Sequence, residues 1–251
     1  MQTLFTGKPT VQLNQVNSTN TYLKELCENQ SINEGYAVTA VEQTKGSGQR
    51  GKVWHSPAGE NLLCSIYFKP RFLTPEKAYL LNMVCATAIT QWLAEESISS
   101  RIKWPNDVYI GNRKCAGILI ENRIKSSVIA HSIIGLGINL NQTLFYGNDL
   151  ENATSAALTK NKKFNIEKVF SRYCELLESN YLTAKSNPKK LVSNFNQQLW
   201  GTEEYQNYQN QEGETLRLKT LGVSARGFLK ARTEEGNQLV FNQNELKLLH
   251  Y

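Results

Sequence analysis

The sequence predicts an α+β fold that ends in a small β-rich unit. Three observations carry that prediction. Strand signals meet as hairpins in the first half, helical patterns lie between and after them, and after Gly201 the chain turns to short β-like pieces punctuated by glycines. Hairpin-linked strands favour α+β over a parallel α/β sheet, which needs a crossover between each pair of strands.

Near the N-terminus, Ser18 or Thr19 caps a helix whose apolar face runs through Tyr22, Leu23 and Leu26 to Cys27. Residues 36–43 read as a strand. In residues 61–70, Leu62, Cys64, Ile66 and Phe68 alternate with Leu63, Ser65 and Tyr67. Both sets are largely apolar, as in a central strand buried on both faces. Thr74 as N-cap and Pro75 at the first helical position open the longest helix, 75–96, with Tyr79, Val84, Ile89 and Trp92 on its buried stripe. Residues 107–110 and 114–121 flank Gly111-Asn112 and form the strongest hairpin signal, followed by a strand at 127–138. Helices at 166–181 and 188–200 close a larger domain, residues 1–200. Strands at 215–223, 227–231, 238–241 and 246–250 then predict a small barrel over residues 201–251.

Bulk properties narrow the function classes. The chain has 251 residues, 40% hydrophobic and 20% charged, which describes an ordinary globular protein with a sizeable core. No run of about eighteen apolar residues and no signal-peptide block occurs, so neither export nor membrane spanning is expected. Five cysteines without a CxxC pair, four of them among apolar neighbours, predict reduced core thiols and a cytoplasmic setting. The formal charge of +6 comes from scattered lysines. It reads as a solvated basic surface that helps collect anionic nucleotides and acidic proteins, not as a DNA-binding patch.

Four segments carry candidate chemistry. Residues 46–51, Gly-Ser-Gly-Gln-Arg-Gly, match GxGxxG, but Pro57 and Gly59 follow where a dinucleotide fold needs a helix, and no acidic residue stands about twenty positions on. The loop reads either as an exposed turn or as a phosphate cradle, with backbone N–H groups at Gly46 and Gly48 and positive charge from Lys45, Arg50 and Lys52. Trp54 beside it is a core filler or a plate for a flat ring. The run Lys103-Trp104-Pro105-Asn106-Asp107 sets Asn106 and Asp107 at a strand end, where they either satisfy turn backbone or hold a polar ligand or a hard cation such as Mg2+. Lys114, across the hairpin, favours the second reading, because strand pairing brings it near Asp107. Residues 135–141, Gly-Leu-Gly-Ile-Asn-Leu-Asn, end a strand as a bulge or as a close backbone approach to a ligand. Cys115 has no histidine in motif relation and is not expected to act as a nucleophile.

Taken together and in this order, these segments resemble the biotin protein ligase family. They comprise Ser18-Thr19-Asn20, Glu42-Gln43-Thr44, the glycine loop, Trp54 with Ser56-Pro57, the KWPND run, residues 114–121 and the GLGINLN run, about half of the chain. The resemblance implies a mixed, largely antiparallel sheet flanked by helices, of the class II aminoacyl-tRNA synthetase type, with an SH3-like C-terminal barrel. It implies biotin and ATP as substrates, Mg2+ as cofactor, and a biotin carboxyl carrier protein or carrier domain as acceptor. Ser18, Thr19, Asn20 and Gln43 would hold the ureido ring, together with Gly46, Gly48, Arg50, Lys114, Gly117 and Gly135 along biotin. Lys45, Arg50, Trp54, Asn106, Asp107, Lys114 and Asn139 would lie around the nucleotide, with Asp107 at the metal and Lys114 catalytic.

Two departures bear on function. The family's loop reads GRGRxGR, whereas Ser47, Gln49 and Lys52 replace arginines here, which implies a looser hold on the adenylate. Only about seventeen residues precede Ser18, so the resemblance implies the monofunctional type without a DNA-binding repressor domain. A lipoate ligase or octanoyltransferase of the same fold is the alternative, disfavoured by the polar cluster at residues 18–20. A homodimer is compatible with the sequence, which does not set the oligomeric state.

Overall fold

The computed structural model describes residues 2–145, 152–224, 226–243 and 245–249, with Arg50 described by its backbone alone. Seven strands build the first sheet: β1 (Thr10–Val16), β2 (Ala37–Gln43), β3 (Leu62–Phe68), β4 (Arg101–Lys103), β5 (Asp107–Ile110), β6 (Arg113–Lys125) and β7 (Val128–Ile138). Their order is β1-β2-β3-β7-β6-β5-β4. Only β1 and β2 run parallel, so the sheet is mixed and largely antiparallel, as the resemblance implied.

The double apolar alternation of β3 has a direct structural cause. Leu62, Cys64, Ile66 and Phe68 face the main core beneath helix α2 (Tyr79–Glu95), while Tyr67 points to the opposite face and packs with Leu23 of α1 (Thr19–Asn29). The second face is only partly covered, and the uncovered part holds the site described below.

Helix α2 differs from its expected form. Residues Pro75–Lys77 make a separate 3-10 turn, and Thr74 gives no side-chain cap. Instead of a stripe, α2 buries every residue from Leu80 to Leu93 except Asn82 and Gln91. The sheet lies on one side and α4 (Ile166–Ser186) and α5 (Pro188–Asn196) on the other, and a helix enclosed in this way is apolar all round. Helix α3 (Ala156–Lys160), with Ser155 as its cap, precedes them. Helix α5 stops before the expected residue 200, because Ile102 of β4 takes up the backbone there: its N–H donates to Gln198 O at 2.7 Å and its carbonyl accepts from Trp200 N at 2.9 Å. Strands β1 and β4 and the short helix α3 gave no sequence signal; β1 is a mostly exposed edge strand, and the other two are three and five residues long.

The N-terminal segment is held by one side chain. The Glu178 carboxylate accepts the backbone N–H groups of Leu4, Phe5 and Thr6 at 2.7, 3.0 and 2.9 Å. Burial pushes the Glu178 carboxyl upward, but the three donors outweigh it and hold the group below its usual value. All five cysteines are free, and all but Cys27 are buried.

The second sheet is antiparallel, with order β11-β10-β9-β8-β12. It comprises β8 (Gln206–Gln209), β9 (Thr215–Val223), β10 (Leu229–Thr233), β11 (Gln238–Phe241) and β12 (Lys247–Leu248) around Tyr208, Leu218, Ala231 and Leu248. Among the described residues no pairing joins β11 to β12, so the sheet is open where a barrel was expected; His250, at the end of the expected last strand, lies outside the described residues. Hydrogen bonds help seat this sheet: Trp104 Nε1 donates to Gly227 O at 3.2 Å, and Asn196 Oδ1 accepts from Val223 N at 2.9 Å. Among the described residues no helix is long and apolar enough to cross a membrane.

Candidate active site

Side chains of a strand alternate between its faces, so Gly135 and Gly137 of β7 share the partly covered face of the first sheet. Register sets Gly135 between Ser65 of β3 and Leu119 of β6, and Gly137 between Leu63 and Gly117. The result is a floor of bare backbone. A Cβ at Gly135 would stand 2.2 Å from Asn20 Oδ1, and one at Gly137 would stand 2.4 Å from the Trp54 ring. The glycines therefore make room for two particular side chains, and a cleft of about 450 Å³, including its opening to solvent, lies over them.

One end of the cleft is polar. The start of α1 presents Ser18, Thr19 and Asn20, all buried. Gln43, at the end of β2, accepts the Thr19 N–H at 2.7 Å and lies 3.0 Å from the Thr19 hydroxyl. Ser65 Oγ stands 2.7 Å from Thr19 Oγ1 and 2.6 Å from Asn20 Oδ1. The Asn20 amide N–H donates to Glu121 Oε2 at 2.9 Å.

The glycine loop covers the middle. It folds back on itself through Gly48 N–H to Lys52 O at 2.7 Å and Trp54 N–H to Gly46 O at 2.8 Å. Gly46 is required at the crossing, since a Cβ there would meet Trp54 O at 2.3 Å. This fold lays the Trp54 indole on the glycine floor, where its Nε1 is buried with no partner among the described residues.

The other end is cationic. Asn106 clips the KWPND turn to β6: its side-chain N–H donates to Ile118 O at 2.9 Å and its carbonyl accepts from Ile118 N at 3.1 Å. Strand β6 carries a bulge at Cys115, opposite Val108 and Tyr109, and Lys114 reaches back to Asp107, with Nζ 2.8 Å from Oδ1. The Lys114 ammonium also lies 5.6 Å from the Trp54 ring centroid, a cation–π distance. Beside it, burial holds the Lys103 ammonium below its ordinary value; Asp107 opposes that shift, whereas Lys114 and Lys52 add to it. Burial pushes the Cys115 thiol up to about 12, which leaves it protonated and unsuited to attack.

Of the residues singled out from the sequence, the cleft wall gathers Ser18, Thr19, Asn20, Gln43, Gly48, Trp54, Asn106, Lys114, Gly117 and Gly135. Asp107 joins through its ion pair with Lys114. Gly46, at the loop's crossing, is not among the residues lining the cleft, Lys45 is exposed, and the Arg50 side chain is outside the described residues. Asn139 does not face the cleft. It is buried and clasps the segment before α3, donating its side-chain N–H to Thr154 O at 3.1 Å and accepting Ala156 N–H at 3.1 Å. Sequence reasoning assigned no role of their own to Ser65, Glu121 and Lys103. The period of two was a usable signal for the first pair, because Glu121 shares a face with Gly117 and Leu119, and Ser65 shares one with Leu63 and Tyr67.

Comparison with known proteins agrees with this geometry. The bifunctional ligase/repressor BirA of Bacillus spizizenii is 29% identical over 252 residues, covering 96% of this chain and 75% of that protein. The biotin–[acetyl-CoA-carboxylase] ligase of Paracoccus denitrificans is 35% identical over 106 residues, covering 41% of this chain and 43% of that one. The structure of biotin protein ligase from Aquifex aeolicus in complex with biotin and ATP superposes with a TM-score of 0.82 at 26% identity, covering 97% of this chain and 100% of that one. The model of the biotin/lipoate A/B protein ligase family matches residues 13–139, which include both ends of the cleft and its glycine floor, and the chain belongs to that family.

Proposed function

We propose that this protein adenylates biotin with ATP and transfers the biotinyl group to a lysine of a biotin carboxyl carrier protein or carrier domain. The observation that carries the reading is the polarity of the cleft. A hydrogen-bonding wall at residues 18–20 and 43 faces, across the glycine floor, the ammonium of Lys114. Biotin has the same two ends: a ureido ring with one acceptor and two N–H donors, and a carboxylate. The Aquifex aeolicus relative, whose structure holds biotin and ATP, supports it.

Hydroxide is a poor leaving group, so the carboxylate must be activated before an amine can displace anything. A carboxylate oxygen attacks the α-phosphorus of ATP, the bond to pyrophosphate breaks, and an acyl-adenylate remains. Lys114 stabilises the charge that builds on the carboxylate and α-phosphate oxygens, the kind of preorganised contact that dominates such steps. The neutral amine of the acceptor lysine then attacks the acyl carbon, the bond to AMP breaks, and the amine gives up a proton. Trp54, beside Lys114 on the floor, offers a flat apolar surface to the adenine or to the bicyclic ring.

Asp107 is the carboxylate at the cationic end, and among the described residues no three His, Cys, Asp or Glu gather into a metal cluster. That donor set fits Mg2+ as nucleotides carry it, with one protein carboxylate and the remaining ligands from phosphate and water. When bound there it supplies charge neutralisation on the phosphates. We further propose that residues 1–200 form the catalytic unit and 201–251 an accessory one.

The test is incubation with ATP, Mg2+ and labelled biotin or lipoate, followed by measurement of pyrophosphate and labelled carrier. Biotin-dependent pyrophosphate release with labelled carrier is expected. Turnover of lipoate alone would reassign the chain to the lipoate branch of its family.

A further inference from the structure

We propose that the groove between the start of α2 and the α4–α5 junction, apart from the glycine-floored cleft, binds a free long-chain carboxylate, a ligand with one acidic head group and an apolar chain.

Two stretches wall the groove. Residues 72–80 run through the 3-10 turn into α2, and residues 184–197 span the end of α4 and all of α5. They enclose about 1670 Å³, including the opening to solvent, which leaves room for a ligand of ordinary small-molecule size. The floor is hydrocarbon. Leu73 and Leu80 are each 2% exposed, and Phe72 and Val192 lie half-buried beside them. Covering such a surface is favourable for any apolar chain.

Charge selects the head group. Lys77 belongs to one wall and Lys185 and Lys189 to the other, and all three are exposed. Among the described residues no Asp or Glu lines the groove, and none of these lysines takes part in an ion pair. Three uncompensated ammoniums around an apolar floor complement a ligand that is negative at one end and hydrocarbon elsewhere. An ammonium is a point charge without the fork of a guanidinium, so one small carboxylate satisfies it. A concave hollow of this size takes a single chain, whereas a membrane surface is met by an amphipathic helix lying flat on it.

The groove also adjoins the second sheet. Asn196, which lines it, accepts the Val223 N–H at 2.9 Å, and Tyr79, which lines it too, lies against Gly227, where a Cβ would stand 2.4 Å from the Tyr79 ring. An occupant therefore rests on residues that hold β9 and the turn after it. A ligand bound only to this folded arrangement raises thermal stability by mass action.

The test is calorimetric titration of the full chain with dodecanoate below its micelle concentration, beside dodecyltrimethylammonium, which has the same chain and the opposite charge, with thermal melts alongside. One-to-one binding of dodecanoate alone, with a raised Tm, is expected. The variant Lys77→Gln/Lys185→Gln/Lys189→Gln should bind it about tenfold more weakly, the combined size of three partly screened charge contacts. Lys24→Gln/Lys125→Gln/Lys163→Gln changes three exposed lysines outside the groove by the same total charge and should stay within about twofold of wild type. The absence of saturable binding, equal binding of the ammonium analogue, or an equal loss in both triple variants overturns the inference. Unchanged affinity in the groove variant overturns it as well, since the acid would then sit elsewhere, and so does a dimer of the free chain that the groove variant disperses in sedimentation, since a second copy would then be the occupant. None of these outcomes bears on the biotin reading.

Discussion

Replacing Lys114 tests the proposed chemistry most directly. Its ammonium sits 2.8 Å from Asp107 Oδ1, with side-chain exposures of 34% for the lysine and 14% for the aspartate. The pair is partly desolvated, so the charge acts through a lower dielectric than water supplies. Loss of one such preorganised contact costs roughly 2.7–4 kcal/mol in the transition state, or about 10²–10³ in rate. The effect on folding is smaller, about 1 kcal/mol, because the lysine remains partly solvated. Lys114→Ala also removes a stem that packs on the glycine floor, its Cε 3.2 Å from where a Gly117 Cβ would be, whereas Lys114→Met keeps the stem and removes only the charge. Both variants should therefore lose adenylate formation to a similar extent. The assay is biotin-dependent pyrophosphate release at saturating ATP, with a thermal melt alongside. Near-normal adenylate formation in Lys114→Met would refute the electrostatic role, and a rate loss in Lys114→Ala alone would make the residue a packing element.

Three further outcomes are expected. Gly135→Ala places a methyl 2.2 Å from Asn20 Oδ1, so the amide must move and biotin affinity should fall at least about tenfold; calorimetry checks it. Glu178→Gln swaps one acceptor for a donor against three backbone N–H groups and should cost about 1.5–3 kcal/mol in denaturant unfolding at neutral pH. Because the folded Glu178 carboxyl is held below its usual value, its contribution is present above the unfolded-state pKa and lost as pH falls through the folded one. The difference between wild type and variant should therefore shrink in acid. Ser47, Gln49 and Lys52, which stand where the family's loop has arginines, should let biotinyl-AMP escape, seen as labelling of non-cognate lysines; strict selectivity for the carrier would count against that.

The sequence by itself determined the parts of this protein whose signals are local. Apolar alternation gave β3, the Gly111-Asn112 turn gave the β5–β6 hairpin, the 215–223 run gave β9, and the spacing of Gly loop, KWPND and GLGINLN identified the family. Signals failed where an element owes its form to neighbours: β4 is three residues long, and α5 ends early because Ile102 claims the backbone beyond it. Asn139 looked like a ligand contact, yet it is buried against Thr154, a partner fifteen positions away that no pattern announces. Hairpin pairing already set Lys114 near Asp107, where the structure has their ion pair, whereas only the tertiary structure decided that Glu121 would hold Asn20 from 101 residues away. Hydrogen bonds and ion pairs depend on angstrom distances between side chains, and those distances exist only after the sheet has set its register.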